Sequence, residues 1–167
     1  MRFVSETDSP LGKIILASDG EALTGLWFFD QKNALRGLNE DAVRKEIPVF
    51  EETKKWLKIY FSGREPGFMI PLSYKDTPFR MDVWNILSEI PYGKTISYSS
   101  ISGMIAKEMG IEKMSSQAIG SAVGLNPISI LIPCHRVVGK DGSLRGYAGG
   151  LERKEKLLKL EQQEKPW

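Results

Sequence analysis

At 167 residues the chain falls within the roughly 100 to 200 that one domain commonly takes, and a chain of that size can bury about 70% of its surface. Hydrophobic residues make up 41% and charged residues 26%, which argues against disorder, and no run approaches the ~18 to 20 apolar residues of a bilayer span. The 23 Lys and Arg against 21 Asp and Glu leave a net charge of +2, so any nucleic-acid surface must come from local arrangement. The opening MRFVSETDSP is too polar for a signal-peptide core, and the expected location is cytoplasmic.

Phe3 to Glu6, Lys13 to Ala17 and Leu23 to Phe29 are short apolar or alternating runs separated by Ser9-Pro10 and Asp19-Gly20, and they predict strands. From Pro48 to Phe61 the period changes. Val49, Phe50, Thr53, Trp56, Leu57, Tyr60 and Phe61 return at three- and four-residue spacing, which predicts a helix with Pro48 in its first turn and Gly63 past its end. Gly63 to Thr77, rich in Gly and Pro, reads as a linker between two subdomains. Thr77-Pro78 starts a helix whose apolar face is Phe79, Val83, Ile86, Leu87 and Ile90, and Pro91-Tyr92-Gly93 stops it.

Ser97 can cap a helix carrying Ile101, Ile105 and Met109, and Ser115 can cap one carrying Ala118, Ile119, Ala122 and Val123. Two short helices in tandem suggest a helix-turn-helix, although the connection through Gly110-Ile111-Glu112-Lys113 is longer than usual for that motif. The second helix is uncharged, with small residues at Gly120, Ser121, Ala122 and Gly124, which suits packing on a neighbouring helix or entry into a nucleic-acid groove. Asn126-Pro127 ends it, Ile128 to Ile132 reads as a buried strand, and Pro133 breaks that strand just before Cys134.

Cys134 and His135 are the chain's one cysteine and one histidine, which excludes an internal disulfide and a four-ligand structural zinc; no metal is expected. A lone cysteine is commonly a small buried hydrophobe, and a lone histidine a satisfied polar group. Here, however, an apolar run gives way to His135-Arg136, and a thiol with an ordinary pKa near ~8.5 needs a base or a positive charge to react. Neighbours on a strand point to opposite faces, so a bridging water would have to join His135 to Cys134. Glu161, on a helix from Leu151 to Glu161, is the candidate carboxylate to orient His135, the alternative being a solvated residue in a frayed last turn. Gly149-Gly150 can form a tight turn or let a flat ligand approach backbone, Tyr147 could stack on such a ligand, and the Tyr98 hydroxyl could face a site.

The string Ile130-Leu131-Ile132-Pro133-Cys134-His135-Arg136-Val137-Val138 closely resembles the active-site signature of the O6-alkylguanine-DNA alkyltransferases, also called methylated-DNA-protein-cysteine methyltransferases. The resemblance extends upstream through Asn126-Pro127, Thr77-Pro78-Phe79, Val83-Trp84, Pro91-Tyr92-Gly93 and Ser97-Tyr98, and downstream through Gly146-Tyr147-Ala148-Gly149-Gly150-Leu151 and Lys154 to Glu161. It covers about the last ninety residues; the first seventy resemble the family in layout alone. The implied fold is α/β of the α+β kind. A small, mainly antiparallel sheet with a helix occupies residues 1–70, with a linker to about residue 77. A helical DNA-binding and alkyl-acceptor domain follows over residues 78–167, with a winged-helix-like helix-turn-helix and a short strand pair.

The same resemblance implies a suicide repair protein, a cytoplasmic monomer without cofactor, whose partner is double-stranded DNA containing O6-alkylguanine. It flips the base out and takes the alkyl group onto Cys134 in one irreversible step, with O4-alkylthymine as a second substrate. Glu161 orients His135, His135 activates Cys134 through water, and Asn126 braces the turn that presents the cysteine. Tyr98 rotates the target phosphate or protonates the departing guanine. Gln117 stands where the family usually has an arginine finger, with Lys113 as a possible substitute. Ser97, Arg136, Tyr147, Ala148 and Gly149 complete the DNA- or base-contacting set, Ala148 standing where some members have serine. In the family the second helix of the helix-turn-helix enters the minor groove, which carries little sequence information. Two other readings stand beside it: a lesion-binding module that accepts no group, whose relatives replace the cysteine that is present here, and a multiple-turnover cysteine hydrolase using the same Cys134 and His135.

Overall fold

The computed structural model describes residues 1–164 and 166–167. Strands β1 (Phe3–Thr7), β2 (Ile14–Ser18) and β3 (Leu23–Phe28) form an antiparallel meander in which Ser5 faces Leu16 and Leu16 faces Leu26. A fourth strand absent from the sequence expectation, β4 (Val43–Arg44), adds in parallel to β1, giving the order β3-β2-β1-β4. Helix α1 (Pro48–Phe61) keeps the predicted bounds and lies against β2, burying Val49, Phe50, Thr53, Leu57 and Tyr60. The Thr53 hydroxyl, the polar intruder on that face, donates 2.7 Å back to the Val49 carbonyl, so its burial leaves nothing unpaired.

The second half is helical. α2 (Pro78–Ser88) is capped by Thr77, α3 (Tyr98–Met109) by Ser97, and α4 (Ser116–Gly124) by Ser115, each side chain accepting from a backbone N–H of the first turn. α3 ends at Gly110, which takes the left-handed conformation (φ 68°) that costs a residue without a Cβ little. α4 packs on both α2 and α3, and the buried Trp84 of α2 ties the pair by donating 2.8 Å to the Ala122 carbonyl. This is a helix-turn-helix with a long turn. Strands β5 (Ile96–Ser97) and β6 (Val137–Val138) pair in parallel, and α5 (Leu151–Glu161) closes the chain with Leu157 and Leu160 in the core.

One expected element is not there. Ile128 to Ile132 is not a strand: Ile128 makes a single bridge to Leu26, and the chain then folds into turns with Ile130 at φ 70°. The apolar run is buried as its composition demands, since Ile128, Ile130 and Ile132 are 0 to 1% exposed, but it is buried by coiling up. Asn126 is the reason. Its side chain accepts from the Ile128 N–H (3.0 Å) and donates to the Ile132 carbonyl (2.7 Å), supplying backbone partners that a strand ladder would otherwise provide. The outer edge of β3 holds the start of the same segment through Leu26 N–H to the Pro127 carbonyl (2.9 Å) and Ser129 N–H to the Leu26 carbonyl (3.0 Å).

Candidate active site

Cys134 opens a single 3-10 turn, Cys134–Arg136, directly after the folded segment that Asn126 braces. Its thiol lines the floor of a cleft of about 830 Å³, whose walls include Tyr98, Gln117, Gly120, Tyr147 and Ala148. Burial pushes the Cys134 pKa up to about 11, against the Asn126 amide and the Lys154 charge, so at neutral pH the group is a thiol and needs a base.

The 3-10 geometry replaces the strand-like divergence expected of the Cys134 and His135 side chains. Successive side chains then diverge by about 120°, and His135 turns from the cleft into the core, where it is 0% exposed. Its Nε2 lies 2.5 Å from Glu161 Oε2. Burial raises the carboxyl pKa, but the hydrogen bonds and charges of His135 and Arg136 outweigh it and hold Glu161 well below the usual range. An ionised carboxylate can only accept, so Nε2 carries the proton and Nδ1 is left as the acceptor. Nδ1 is buried and makes no hydrogen bond among the described residues. Burial also lowers the His135 pKa despite the pull of Glu161, so the ring is neutral at pH 7 and able to take a proton.

Glu161 is buried at the end of α5, not solvated in a frayed turn. Its Oε1 accepts from Arg136 Nε (2.8 Å) and the Gly93 N–H (3.1 Å), and its Oε2 accepts from His135 Nε2, from Arg136 Nη2 (3.1 Å) and from the Tyr60 hydroxyl (2.5 Å). Arg136 requires a correction. Expected at the DNA side, it is instead 8% exposed, with its donors spent on Glu161 and on the Ile90 carbonyl (2.7 Å). A guanidinium beside a buried carboxylate is held by desolvation that only pairing offsets, which keeps it from reaching outward.

The remaining predicted residues divide between cleft wall and support. Tyr98 reaches the cleft, its hydroxyl donating to the carbonyls of Arg145 (3.1 Å) and Gly146 (3.3 Å), and burial raises its pKa to about 12. Tyr147 lines the cleft with a buried hydroxyl that has no partner among the described residues, and its ring stands 6.5 Å from that of His135. Gly149 lies behind it. A Cβ there would fall 2.7 Å from the Tyr147 ring and 3.0 Å from Phe28, so the backbone is glycine because two aromatic rings occupy the space. Ala148 lines the cleft and its carbonyl accepts from the Lys32 N–H at 2.9 Å. Gln117 is exposed in the first turn of α4 and lines the same cleft. Ser97 is occupied as a cap, its hydroxyl accepting from the Ser100 N–H at 3.0 Å.

Three residues of this region were given no role from sequence, Lys154 having entered only as part of the resemblance. Tyr60 lies on the helix α1, where an aromatic at core spacing reads as packing. Gln31 accepts from the Phe28 N–H and from the Ser129 hydroxyl, joining the loop after β3 to the cysteine-bearing segment. Lys154 is 0% exposed, and its ammonium donates to the same Arg145 and Gly146 carbonyls as Tyr98 (2.6 and 3.2 Å), with burial lowering its pKa to about 8. A lysine in a helix reading Leu-Glu-Arg-Lys-Glu-Lys looks solvated; its phase with Leu157 and Glu161 was the available signal. Among the described residues no group of three or more His, Cys, Asp or Glu could hold a metal ion.

Two family profiles match the chain: "6-O-methylguanine DNA methyltransferase, ribonuclease-like domain" over residues 4–74 and "6-O-methylguanine DNA methyltransferase, DNA binding domain" over residues 78–163. A methylated-DNA–protein-cysteine methyltransferase of Methanosarcina acetivorans is 44% identical over 154 residues, covering 92% of this chain and 94% of the relative. The constitutive protein of that name from Bacillus subtilis is 36% identical over 164 residues, 96% of each chain. Among solved structures, Mycobacterium tuberculosis OGT in complex with DNA superposes with a TM-score of 0.83 at 37% identity, covering 96% of this chain and 93% of its own.

Proposed function

This chain belongs to the 6-O-methylguanine DNA methyltransferase family, and from that premise we propose that Cys134 is the acceptor through which it repairs O6-alkylguanine in duplex DNA. The protein is a methylated-DNA–protein-cysteine methyltransferase in activity: it transfers the alkyl group from the base to its own cysteine. The observation that carries the site assignment is the acceptor left free on His135. Nε2 is committed to Glu161, while Nδ1 is buried, neutral and unpaired among the described residues, on the residue that follows the cleft-lining cysteine.

In the proposed step the Cys134 proton passes through a water to His135 Nδ1, and the sulfur attacks the alkyl carbon. The S–C bond forms as the C–O6 bond breaks, and the electron pair leaves with guanine, a poor leaving group unless a proton neutralises it. Tyr98 is the donor within the cleft; a second reading gives it the target phosphate to turn instead. α4 lies in the minor groove, where Gly120, Ser121 and Gly124 line the cleft without bulk or charge, and Gln117 stands at the finger position. The thioether has no route back to thiol, so each chain works once, as a monomer. Residues 1–70 serve as a scaffold and 78–167 as the reacting and DNA-binding unit. Among the described residues no helix is long and apolar enough to cross a membrane; a cytoplasmic place of action is part of the same proposal.

The test is the intact mass of the protein after incubation with duplex DNA containing O6-methylguanine, followed by peptide mapping. The expected result is one methyl increment on Cys134, saturating at one per chain, and none in Cys134→Ala, which still binds the DNA. Binding without any increment in the wild-type protein would replace transfer by lesion recognition, and repeated turnover would point to a hydrolase.

A further inference from the structure

Among the described residues, every side-chain donor around Glu161 comes from the second half of the chain except one. Tyr60 reaches it from α1, 101 residues away, and its hydroxyl hydrogen lies on the same Oε2 that accepts from His135. A carboxylate offers about four lone-pair directions, and here five contacts fill them: Arg136 Nε and Gly93 N–H on Oε1, and His135, Tyr60 and Arg136 Nη2 on Oε2. The Tyr60 oxygen is also 3.4 Å from His135 Nε2. Both groups point a proton at Oε2, so what they share is an acceptor.

The ring and the hydroxyl of Tyr60 have separate partners. The ring stacks on Trp56 (5.4 Å, 9°) and meets Tyr92 edge-on (6.1 Å, 84°), and phenylalanine would keep both contacts. The hydroxyl serves the carboxylate alone. We propose that Tyr60 is a positioning residue for alkyl transfer: by sharing Glu161 Oε2 with His135 it fixes the carboxylate's rotation and limits the negative charge lent to the imidazole. His135 then stays neutral with its proton on Nε2, and Nδ1 remains an open acceptor. The inference deepens the transfer reading and rests on it for its kinetic consequence.

The charged and titratable groups facing His135 are Glu161 and Lys154 from α5, Tyr60 from α1, Arg136 and Cys134 from its own turn, and Tyr147 from the cleft wall. Removing the Tyr60 hydroxyl leaves more charge on Oε2, which favours the imidazolium, so the pH at which His135 becomes protonated moves up. Because His135 is the chain's one histidine, its ring can be titrated by NMR in the resting protein, without DNA.

The experiment compares wild type, Tyr60→Phe and Trp56→Phe by that titration and by single-turnover methyl transfer across pH. In Tyr60→Phe the imidazole titration and the acid limb of the rate both move to higher pH, and the plateau rate falls about tenfold, as for loss of a hydrogen bond to a charged group. Trp56→Phe disturbs the stack and leaves both midpoints in place. An unmoved titration midpoint in Tyr60→Phe, whatever its rate, overturns the inference, as does an equal shift in Trp56→Phe. A histidine midpoint that moves in Tyr60→Phe while the wild-type protein takes up no methyl group overturns the transfer reading instead.

Discussion

The two sides of Cys134 are built on opposite principles. Behind it, Tyr60, His135, Arg136 and Glu161 are each 8% exposed or less and are tied by hydrogen bonds of 2.5 to 3.1 Å. In front, Gln117 is solvent-facing, Tyr98 holds backbone carbonyls, and α4 offers the cleft small residues at Gly120, Ser121 and Gly124. Charged groups that set a proton's place must be dry and paired, because an unpaired charge in low dielectric is costly. Groups that meet a large polyanion must stay exposed and adaptable. Substitutions behind the cysteine therefore cost stability and rate together, and those at exposed positions of α4 change binding first.

Glu161→Gln has the largest expected effect on stability. It removes the carboxylate charge that Arg136 faces while keeping the shape, and a buried charge left without its partner costs about 3 to 5 kcal/mol. Transfer falls as well, because a neutral amide no longer enforces the Nε2 proton. The loss also has a pH counterpart. The Glu161 pKa is depressed in the fold, so its contribution is complete above the unfolded carboxyl's value near ~4.3 and disappears as pH falls through the lower folded value. Denaturant midpoints for both proteins from pH 7 downward check this: the gap narrows as the wild type acidifies. A gap below about 1 kcal/mol at pH 7 would dissolve the contrast between the two sides.

How far this arrangement could be read from sequence follows the range of the forces. α1, α2, α3, α4 and α5 were readable because caps and apolar phase are local: Thr77, Ser97 and Ser115 each cap the helix their position announced. Cys134, His135 and Glu161 stood out by rarity and by resemblance. The turned Ile128–Ile132 segment was not readable, since a buried run of isoleucines is equally satisfied by a strand and by turns braced from Asn126. β4 escaped because two exposed residues carry no pattern of their own. Tyr60, Gln31 and the inward Arg136 were invisible for one shared reason. Each is defined by a partner from 25 to 101 residues away, and the pattern around each fits a bland role equally well.

Gly149→Ala tests the seam between the two sides. The added methyl meets Tyr147 and Phe28 at 2.7 and 3.0 Å, and because Phe28 is 0% exposed, Tyr147 must move into the cleft. Overpacking of this kind costs about 1 to 3 kcal/mol, and a displaced cleft wall slows transfer from duplex DNA. Thermal unfolding and single-turnover rates report the two separately. A stable variant with full activity would mean that the Tyr147 ring is loosely held.

Gln117→Arg probes the open side and carries the smallest expected effect on the protein itself. The side chain is exposed, in the first turn of α4, and makes no side-chain hydrogen bond among the described residues. Its replacement therefore changes stability by under about 0.5 kcal/mol, with a slight penalty from placing a cation at a helix N-terminus. DNA affinity responds differently. A guanidinium reaching the cleft beside α4 adds a positive charge where a flipped base leaves a gap, so binding to duplex DNA tightens several-fold. If the new charge neutralises a phosphate, the dependence of log affinity on log salt steepens by about one; if it fills the stack, affinity rises with little change of slope. Anisotropy titrations at two salt concentrations tell these apart. An unchanged or weaker affinity would mean that Gln117 does not stand at the finger position, and that a residue of the long α3–α4 turn, Lys113 first among them, faces the groove in its place.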